Sequence, residues 1–552
     1  MYKLLALSFA EASQGVRAHN WHESASAQSV RPGVAESATT NRRSQPLELP
    51  FIREAKFASG FASVYGKLKL SQLDDGLRRI FTGETEEKSA KRWEHVHDRI
   101  GVELYNLCSS LGGAYVKVGQ FFSTRPDLVP EQWCRHLGML CDSVQPMRSA
   151  EARDIALQEI FNATHGKRTL TDWCDQPLGA ASVAQVHAAR LIPTQRPNRL
   201  KRLLIRESSG RMVAVKVRRP EAATFFARDF KAVQKAAALV QRFELSFDLL
   251  SCIEDLRDRV NQELDFRIEH DHLVRARKGV RKASRGAITA PLAILGTRRC
   301  CITELLDSVP VSALARQLDD IGELGTPRSP VTLPRGAGGM FARRALSKTV
   351  SDLYDVYGHM VLCTSTFHAD PHPGNLLVPR RFGRKYALFS ARNWLPSPLR
   401  WLLPYAPARL HLIDWGQCGG FSLGRRKQIA RLFVELANAG DVDFEKAPVA
   451  ASRVAGALRD LGVVQTGGRG DAVEAKTARG MFDSVGEIDL EETDLNELGI
   501  SQFPKDLFLV LRVTQILRGL GSSAEAFGAP PTRSLAQAWR PYAKRALAHK
   551  EF

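Results

Sequence analysis

The chain contains no CxxC pair, and its nine cysteines, an odd number, do not make up a disulfide framework. That usage fits a reducing compartment. No run approaches 18 uninterrupted apolar residues, so no transmembrane helix is expected. Internal repeats and a GxGxxG loop are also missing. Two basic clusters, RPNRLKR (196–202) and VRARKGVRKASR (274–285), come without the signature of a nucleic-acid-binding fold, so no nucleic-acid partner is expected. They read as solvated or membrane-facing surface.

What is present is a globular composition. With 552 residues, 44% of them hydrophobic, the chain can bury more than one core, and two or three domains are expected. Its 78 Lys+Arg against 59 Asp+Glu give +19, which favours an acidic partner: a nucleotide, a phospholipid surface or nucleic acid.

Residues 1–48 are rich in Ser and Ala and carry Arg17, Arg31, Arg42 and Arg43, the pattern of an organellar targeting segment. Glu11, Glu23, Glu36 and Glu48 fit a disordered leader equally well. From 49 to 165 the apolar spacing is helical. Between 177 and 217, ASVAQVHAARL and RMVAVKV flank an arginine-rich link and predict a twisted hairpin. One long amphipathic helix is expected over 223–279, broken only at SFD, then a buried strand in CCITELL (300–306) and a mostly helical remainder from 311. RGAGGM (335–340) reads as a flexible linker. That order predicts a two-lobed α+β enzyme with a cleft between its lobes.

The chemistry starts with FHADPHPGN (367–375) and HLIDWGQCG (411–419). In phosphoryl transfer one carboxylate orients the acceptor hydroxyl, while Mg²⁺ needs oxygens from a second carboxylate and an amide. Asp370 and Asn375 fit the acceptor-facing and metal-facing positions of one loop stiffened by Pro371 and Pro373. Asp414, after the apolar HLI, then serves as the principal metal ligand, its DWG standing where protein kinases have DFG. Two other readings exist: His368, Asp370 and His372 as ligands of a transition metal, lacking a downstream partner cluster, or a plain proline-rich turn. Upstream residues favour the kinase reading. Lys216 follows V-A-V on a strand, where an ammonium meets the α- and β-phosphates. Gly179, Ala180, Ala181 and Ser182 lie at a turn where backbone N–H groups can approach phosphate. ELDFRIE brings Glu263, Asp265 and Glu269, one of which should pair with Lys216.

With these residues in chain order, the sequence resembles the UbiB-type atypical kinases, the aarF-domain-containing (ADCK) family. The deciding stretch is LGGAYVKVGQFFSTRPDLVPEQW (111–133) followed by HLGMLCDSVQPM (136–147), similar to the family's KxGQ block. The resemblance covers about 95–430. It implies that Lys117, Gly119 and Gln120 are the KxGQ residues and that Glu263 with Asp265 is the ExD pair they contact. Ala180, Ala181 and Ser182 match the alanine-rich loop, Lys216 with Glu269 the nucleotide-positioning pair, and Asp370, Asn375 and Asp414 the catalytic and metal positions. Glu304, within the CCITELL strand, is placed with the cofactor-binding residues.

The sequence also departs from that pattern. Gly179 stands in place of an alanine, and the missing methyl is expected to loosen the loop. His270 and His272 replace Ala and Asn after Glu269. An insertion at about 379–409 sets Trp394, Trp401, Leu402, Leu403 and Tyr405 beside Arg392, Arg400 and Arg409, either at a lipid headgroup boundary or packed on the larger lobe.

The resemblance implies an α+β, two-lobed protein kinase-like fold with a helical N-terminal extension. A leader (1–48) precedes the extension carrying KxGQ (49–165), the smaller lobe (166–310) and the larger lobe (311–552). It implies an ATP- and Mg-dependent (or ADP-binding) phosphotransferase or ATPase supporting ubiquinone or other prenyl-lipid metabolism. The expected partners are nucleotide, a membrane surface or prenyl lipid, and a lipid-biosynthesis complex. Mitochondrion or plastid is the expected site, peripheral to a membrane. A small-molecule kinase of the aminoglycoside type and a nucleotide-gated lipid-binding scaffold without turnover are the alternatives.

Overall fold

The computed structural model describes residues 50–82, 85–123, 129–141, 146–181, 183–194, 210–243, 249–311, 337–379, 409–465, 470–483, 500–504, 506–526 and 529–549. The leader, Ser182, the RPNRLKR cluster and the insertion from 380 to 408, with all its tryptophans, lie outside the described residues.

Among the described residues five α-helices come first: α1 (Pro50–Thr82), α2 (Glu86–Leu111), α3 (Gly113–Ser123), α4 (Glu131–Gly138) and α5 (Ser149–Thr164). The LGG of the KxGQ block separates α2 from α3. Gly112 and Gly113 take φ of 65° and 57°, a left-handed region open to residues without a Cβ. The chain therefore turns sharply and restarts as α3, which buries Ala114, Tyr115 and Val118 against later helices.

A six-stranded antiparallel sheet follows, ordered β1 (Arg168–Thr171), β3 (Ala184–Pro193), β4 (Arg211–Arg218), β7 (Cys300–Glu304) and β6 (Ala293–Gly296), with β2 (Gly179–Ala180) paired to β3. In β4 the alternation of RMVAVKVR sends Val213, Val215 and Val217 into a core with Ala152, Ala156 and Ile160 of α5. Lys216 leaves from the opposite face. The helical stretch expected over 223–279 with a break only at SFD (246–248) is instead three helices, α6 (Pro220–Phe243), α7 (Leu249–Glu263) and α8 (Phe266–Ala283), with a second break at 264–265. The break at 264–265 has a local cause. Asp265 takes an extended backbone (φ −117°, ψ 98°) and its carboxylate accepts the Arg267 N–H, capping α8. Leu264 O also accepts from Arg218 Nη1 of β4 at 2.6 Å, which fixes the junction to the sheet.

The larger lobe contains β5 (Ile288–Thr289), β8 (Ser308–Pro310), α9 (Ala337–Cys363), β9 (Phe367–His368), β10 (Leu376–Pro379), β11 (Leu410–Leu412), β12 (Cys418–Gly419), α10 (Leu423–Ala439), α11 (Pro448–Asp460), α12 (Asp471–Phe482), α13 (Leu507–Ala526) and α14 (Leu535–Ala548). The end of RGAGGM, expected as linker, is the first turn of α9. Val350, Leu353, Tyr357, Phe433, Leu517 and Trp539 are buried in one core that also takes Leu273, Ala276 and Val280 of α8. Two short pairings place the functional loops: β9 with β12 and β10 with β11. They hold 369–375 beside 413–417. Of the two alternatives for the insertion, Arg409 takes the second: it is buried on the larger lobe and ion-paired with Asp352 of α9. A lone buried guanidinium has to find a carboxylate, and Asp352 supplies it.

Candidate nucleotide site

Three charged side chains meet where β4, α8 and the loop after β11 converge. Lys216 Nζ lies 3.0 and 2.9 Å from the two carboxylate oxygens of Glu269 and 2.9 Å from Asp414 Oδ1. Underneath, Phe266 packs with Ala184 and Cys301, and the ammonium stands 5.4 Å from the Phe266 ring centre. Burial works against the charge on Lys216, but Asp414 and Glu269 outweigh it and hold the amine above its ordinary value. Lys216 in turn pulls Asp414 down to about 2. Burial raises Glu269, against the pull of Lys216. The side chain of Asp414 is 49% exposed while that of Glu269 is 10% exposed, so Asp414 faces the cleft and Glu269 anchors the lysine from within.

Asp414 sits at φ 59°, a conformation costly for a residue with a side chain and tolerated best by Asp and Asn. Its neighbours hold it there. Trp415 is buried, donates from Nε1 to Leu412 O at 3.1 Å, and meets the edge of His368. A Cβ at Gly416 would lie 3.3 Å from Asp414 Oδ1 and 3.9 Å from Glu269 Oε2, so the glycine leaves room for both carboxylates.

On the adjoining loop His368 is fully buried. Its Nε2 faces the Ile413 and Asp414 carbonyls at 3.0 and 3.1 Å, and its Nδ1 faces Tyr357 Oη and the Asp370 N–H. Two carbonyls on one side and an N–H on the other assign the proton to Nε2. The imidazole is thus a neutral brace between the two loops, and burial lowers its basicity. That fixes His368 as structural and removes it from the HxDxH metal reading; among the described residues no cluster of His, Cys, Asp and Glu suits a metal of that kind. Asn375 Nδ2 donates to Asp370 O at 3.1 Å and Asp370 Oδ2 at 3.3 Å.

The KxGQ helix reaches the same place. Lys117 Nζ of α3 lies 2.8 Å from Glu263 Oε2, and Glu263 Oε1 accepts from Gln417 Nε2 at 3.1 Å. Glu263, ending α7, therefore ties α3 to the residue that follows the DWG. Gly119 is needed for contact: a Cβ there would fall 2.4 Å from Leu140 Cδ1. Gln120 points elsewhere, donating to Leu140 O at 3.3 Å. Asp265 is not a partner of Lys117. Its carboxylate is taken up by the Arg267 backbone and guanidinium, because it caps α8 rather than lining a helix face.

The alanine-rich loop is tighter than expected. Gly179 and Ala180 form strand β2 rather than a turn, and the Ala181 N–H is already engaged with Ala184 O at 2.7 Å, so it is not free for a phosphate. A Cβ on Gly179 would meet nothing within 4 Å. Glu304 gives its carboxylate to the Leu292 N–H at 3.2 Å, away from the Lys216 cluster. His272 Nδ1 donates to Trp415 O at 3.2 Å, so this departure braces the DWG turn and leaves α8 intact.

Residues 139–447 match the model of the ABC1 atypical kinase-like domain. The chain belongs to the ABC1 atypical kinase-like family. Relatives include "Probable protein kinase UbiB" of Shewanella pealeana, 29% identical over 290 residues (51% of this chain, 45% of that protein). "AarF domain-containing protein kinase 1" of Xenopus tropicalis is 28% identical over 314 residues (55% and 50%). An "uncharacterized aarF domain-containing protein kinase", chloroplastic, of Arabidopsis thaliana is 25% identical over 394 residues (70% and 59%). The chain spans about half the length of the UbiB relative it matches. The solved structure of Rv3197 with erythromycin, from Mycobacterium tuberculosis, aligns at 18% identity and a TM-score of 0.42 over 79% of this chain and 95% of that one.

The donor set fits the Mg²⁺ that an ABC1 kinase-like site implies. With Asn375 Nδ2 and Asp414 Oδ1 engaged, Asn375 Oδ1 and Asp414 Oδ2 have no partner among the described residues, and these are hard oxygen donors. Two polar residues of the site escaped the sequence reading. Gln417 stands directly after the DWG, and that adjacency was the available signal. Arg512 of α13, whose Nη2 lies 2.9 Å from Asp370 Oδ1, had none, being an arginine in an otherwise ordinary amphipathic helix far along the chain.

Proposed function

We propose that this ABC1-family chain is an ATP- and Mg²⁺-dependent phosphotransferase or ATPase acting at a membrane surface, in ubiquinone or related prenyl-lipid metabolism. One observation carries the nucleotide part: Lys216 held between Glu269 and Asp414, with the loop of Asp370 and Asn375 tied to the residue before Asp414 through Ile413 N–H donating to Asn375 O at 3.0 Å. Lys216 would meet phosphate oxygens, and Glu269 keeps its ammonium aimed. Asp414 and Asn375 would hold Mg²⁺, which would supply neutralisation of the phosphate charge. Asp370 orients the attacking hydroxyl or water and takes its proton. The Lys117–Glu263–Gln417 chain places the extension against the DWG turn, which supports ATPase or small-molecule chemistry over phosphorylation of a bulky protein.

The membrane part rests on α1. Leu70, Leu73, Leu77, Ile80 and Phe81 recur at helical spacing and are 54–79% exposed. A groove of about 230 Å³ lined by Leu70, Ser71, Asp74, Arg92, Trp93, Val96 and Arg99 adjoins the stripe, with Arg92 ion-paired to Asp75. The exposed apolar strip suits the headgroup boundary of a lipid surface, with Arg99 at the groove as a cation beside it. No helix among the described residues is long and apolar enough to cross a membrane. The chloroplastic relative supports an organellar setting, mitochondrion or plastid.

The deciding experiment is nucleotide-induced thermal stabilisation with and without Mg²⁺, coupled to phosphate release. Wild type is expected to gain roughly 2.7 kcal/mol at a hundred times the dissociation constant. Asp414→Asn should lose the Mg²⁺-dependent part; full retention would remove Asp414 from the metal site.

A further inference from the structure

Asp370 has a donor on each carboxylate oxygen: Arg512 Nη2 on Oδ1 at 2.9 Å and Asn375 Nδ2 on Oδ2 at 3.3 Å. The two donors differ in what they can accomplish. Asn375 belongs to the same short loop, so its bonds shape the loop without fixing it relative to the rest of the lobe. Arg512 comes from α13, whose Val510, Val513 and Leu517 are fully buried in the larger core and whose Leu517 carbonyl accepts from Tyr354 Oη at 3.1 Å. A donor rooted in that helix fixes the plane of the Asp370 carboxylate against the whole lobe. With the Arg512 side chain 41% exposed, the pair gains little stability from its charges, because solvent screens them. What remains is its geometry.

We propose that Arg512 is a positioning residue for Asp370, holding the carboxylate toward the attacking group. The inference rests on the reading of Asp370 as the acceptor-facing carboxylate.

Phosphate release from Mg–ATP and Mg–ATP affinity are measured on the full chain for wild type, Arg512→Ala, Arg512→Lys, Asp370→Asn and the double variant Arg512→Ala with Asp370→Asn. Arg512→Ala is expected to lower kcat about tenfold or more and leave nucleotide affinity within about twofold, since a positioning residue acts on the transition state rather than on binding. Arg512→Lys should recover part of the rate. Methylguanidine added to Arg512→Ala should restore turnover saturably, because the position is open to solvent. In the Asp370→Asn background, removing Arg512 should cost nothing further. A kcat unchanged in Arg512→Ala, a rate without rescue by lysine or methylguanidine, or additive losses in the double variant would each overturn the proposal. If wild type binds Mg–nucleotide without turnover, the enzymatic reading fails by itself. The positioning contact is then tested by the same cycle in melting temperature with Mg–ADP bound: coupled shifts sustain it and additive shifts overturn it.

Discussion

Lys117 and Lys216 approach one acidic patch from separate parts of the chain, and each has its own carboxylate, Glu263 for the first and Glu269 for the second. Lys117→Ala leaves Glu263 with Gln417 alone. The expected loss is about 2 kcal/mol, below the 3–5 of a fully buried pair because both side chains keep 16% exposure. A urea midpoint shift checks it. ATP and ADP affinities should change in the same variant, and Lys117→Glu with Glu263→Lys should recover part of both; identical affinities in Lys117→Ala would make the contact structural only. At Gly179 the prediction has the opposite sign. With open space around a Cβ and no positive φ, Gly179→Ala should stabilise by up to about 1 kcal/mol through the unfolded chain. A melting temperature at or below wild type would show that the missing methyl serves the loop. Single residues were legible in the sequence where their chemistry was local. Lys216 after V-A-V on a strand was legible as an ammonium near phosphate, whereas the choice of Glu269 among three nearby acids came only from the family resemblance. Asp265 was not legible, since an aspartate between two helices looks like one on a helix until the break is known.

That break is the main lesson at the level of elements. The apolar spacing runs through 260, 264 and 268 without a slip, so periodicity alone continues the helix across Leu264 and Asp265. The capping bond ends it. Asp265→Ala should therefore cost about 1 kcal/mol and Asp265→Asn only a few tenths, as for a cap rather than an ion pair. Equal losses in both would restore the charge as the active feature. The β3–β4 hairpin, by contrast, was legible because alternation and valine content leave little choice of structure. The second element-scale prediction concerns α1. Leu73→Ser with Leu77→Ser should weaken co-sedimentation with anionic vesicles at unchanged ATP affinity; undiminished sedimentation would locate lipid contact elsewhere.

For the whole molecule, the two-lobed α+β plan followed from element order and its kinase-like character from the family resemblance, while the convergence of α13 on Asp370 depends on how the described helices of the larger lobe pack, which no local pattern encodes. Burial of histidines gives the molecule a pH dependence. Burial lowers His97, His272, His359 and His368, and takes His411 from 6.5 to about 4, partly opposed by Glu304. Between those two values the unfolded chain binds protons that the native state refuses, so stability is full above pH 6.5 and falls as pH drops toward 4. His411 alone should account for about 3 kcal/mol of that fall. Urea midpoints at pH 7 and pH 5 are the measurement, and a flat profile would refute it.

Helix α8 has Glu269 in its first turn and Leu273, Ala276 and Val280 in the core of the larger lobe. Though it holds the lysine of the smaller sheet, it is rooted in the other lobe. In hydrogen exchange its amides should open together with α9 and α13, at the slow, global limit, while the β3–β4 hairpin exchanges as a separate and faster unit. Bound nucleotide would then slow the hairpin first. Protection arriving along the strands before it changes in the helix would be the time-resolved trace of a sheet that closes onto a stationary post.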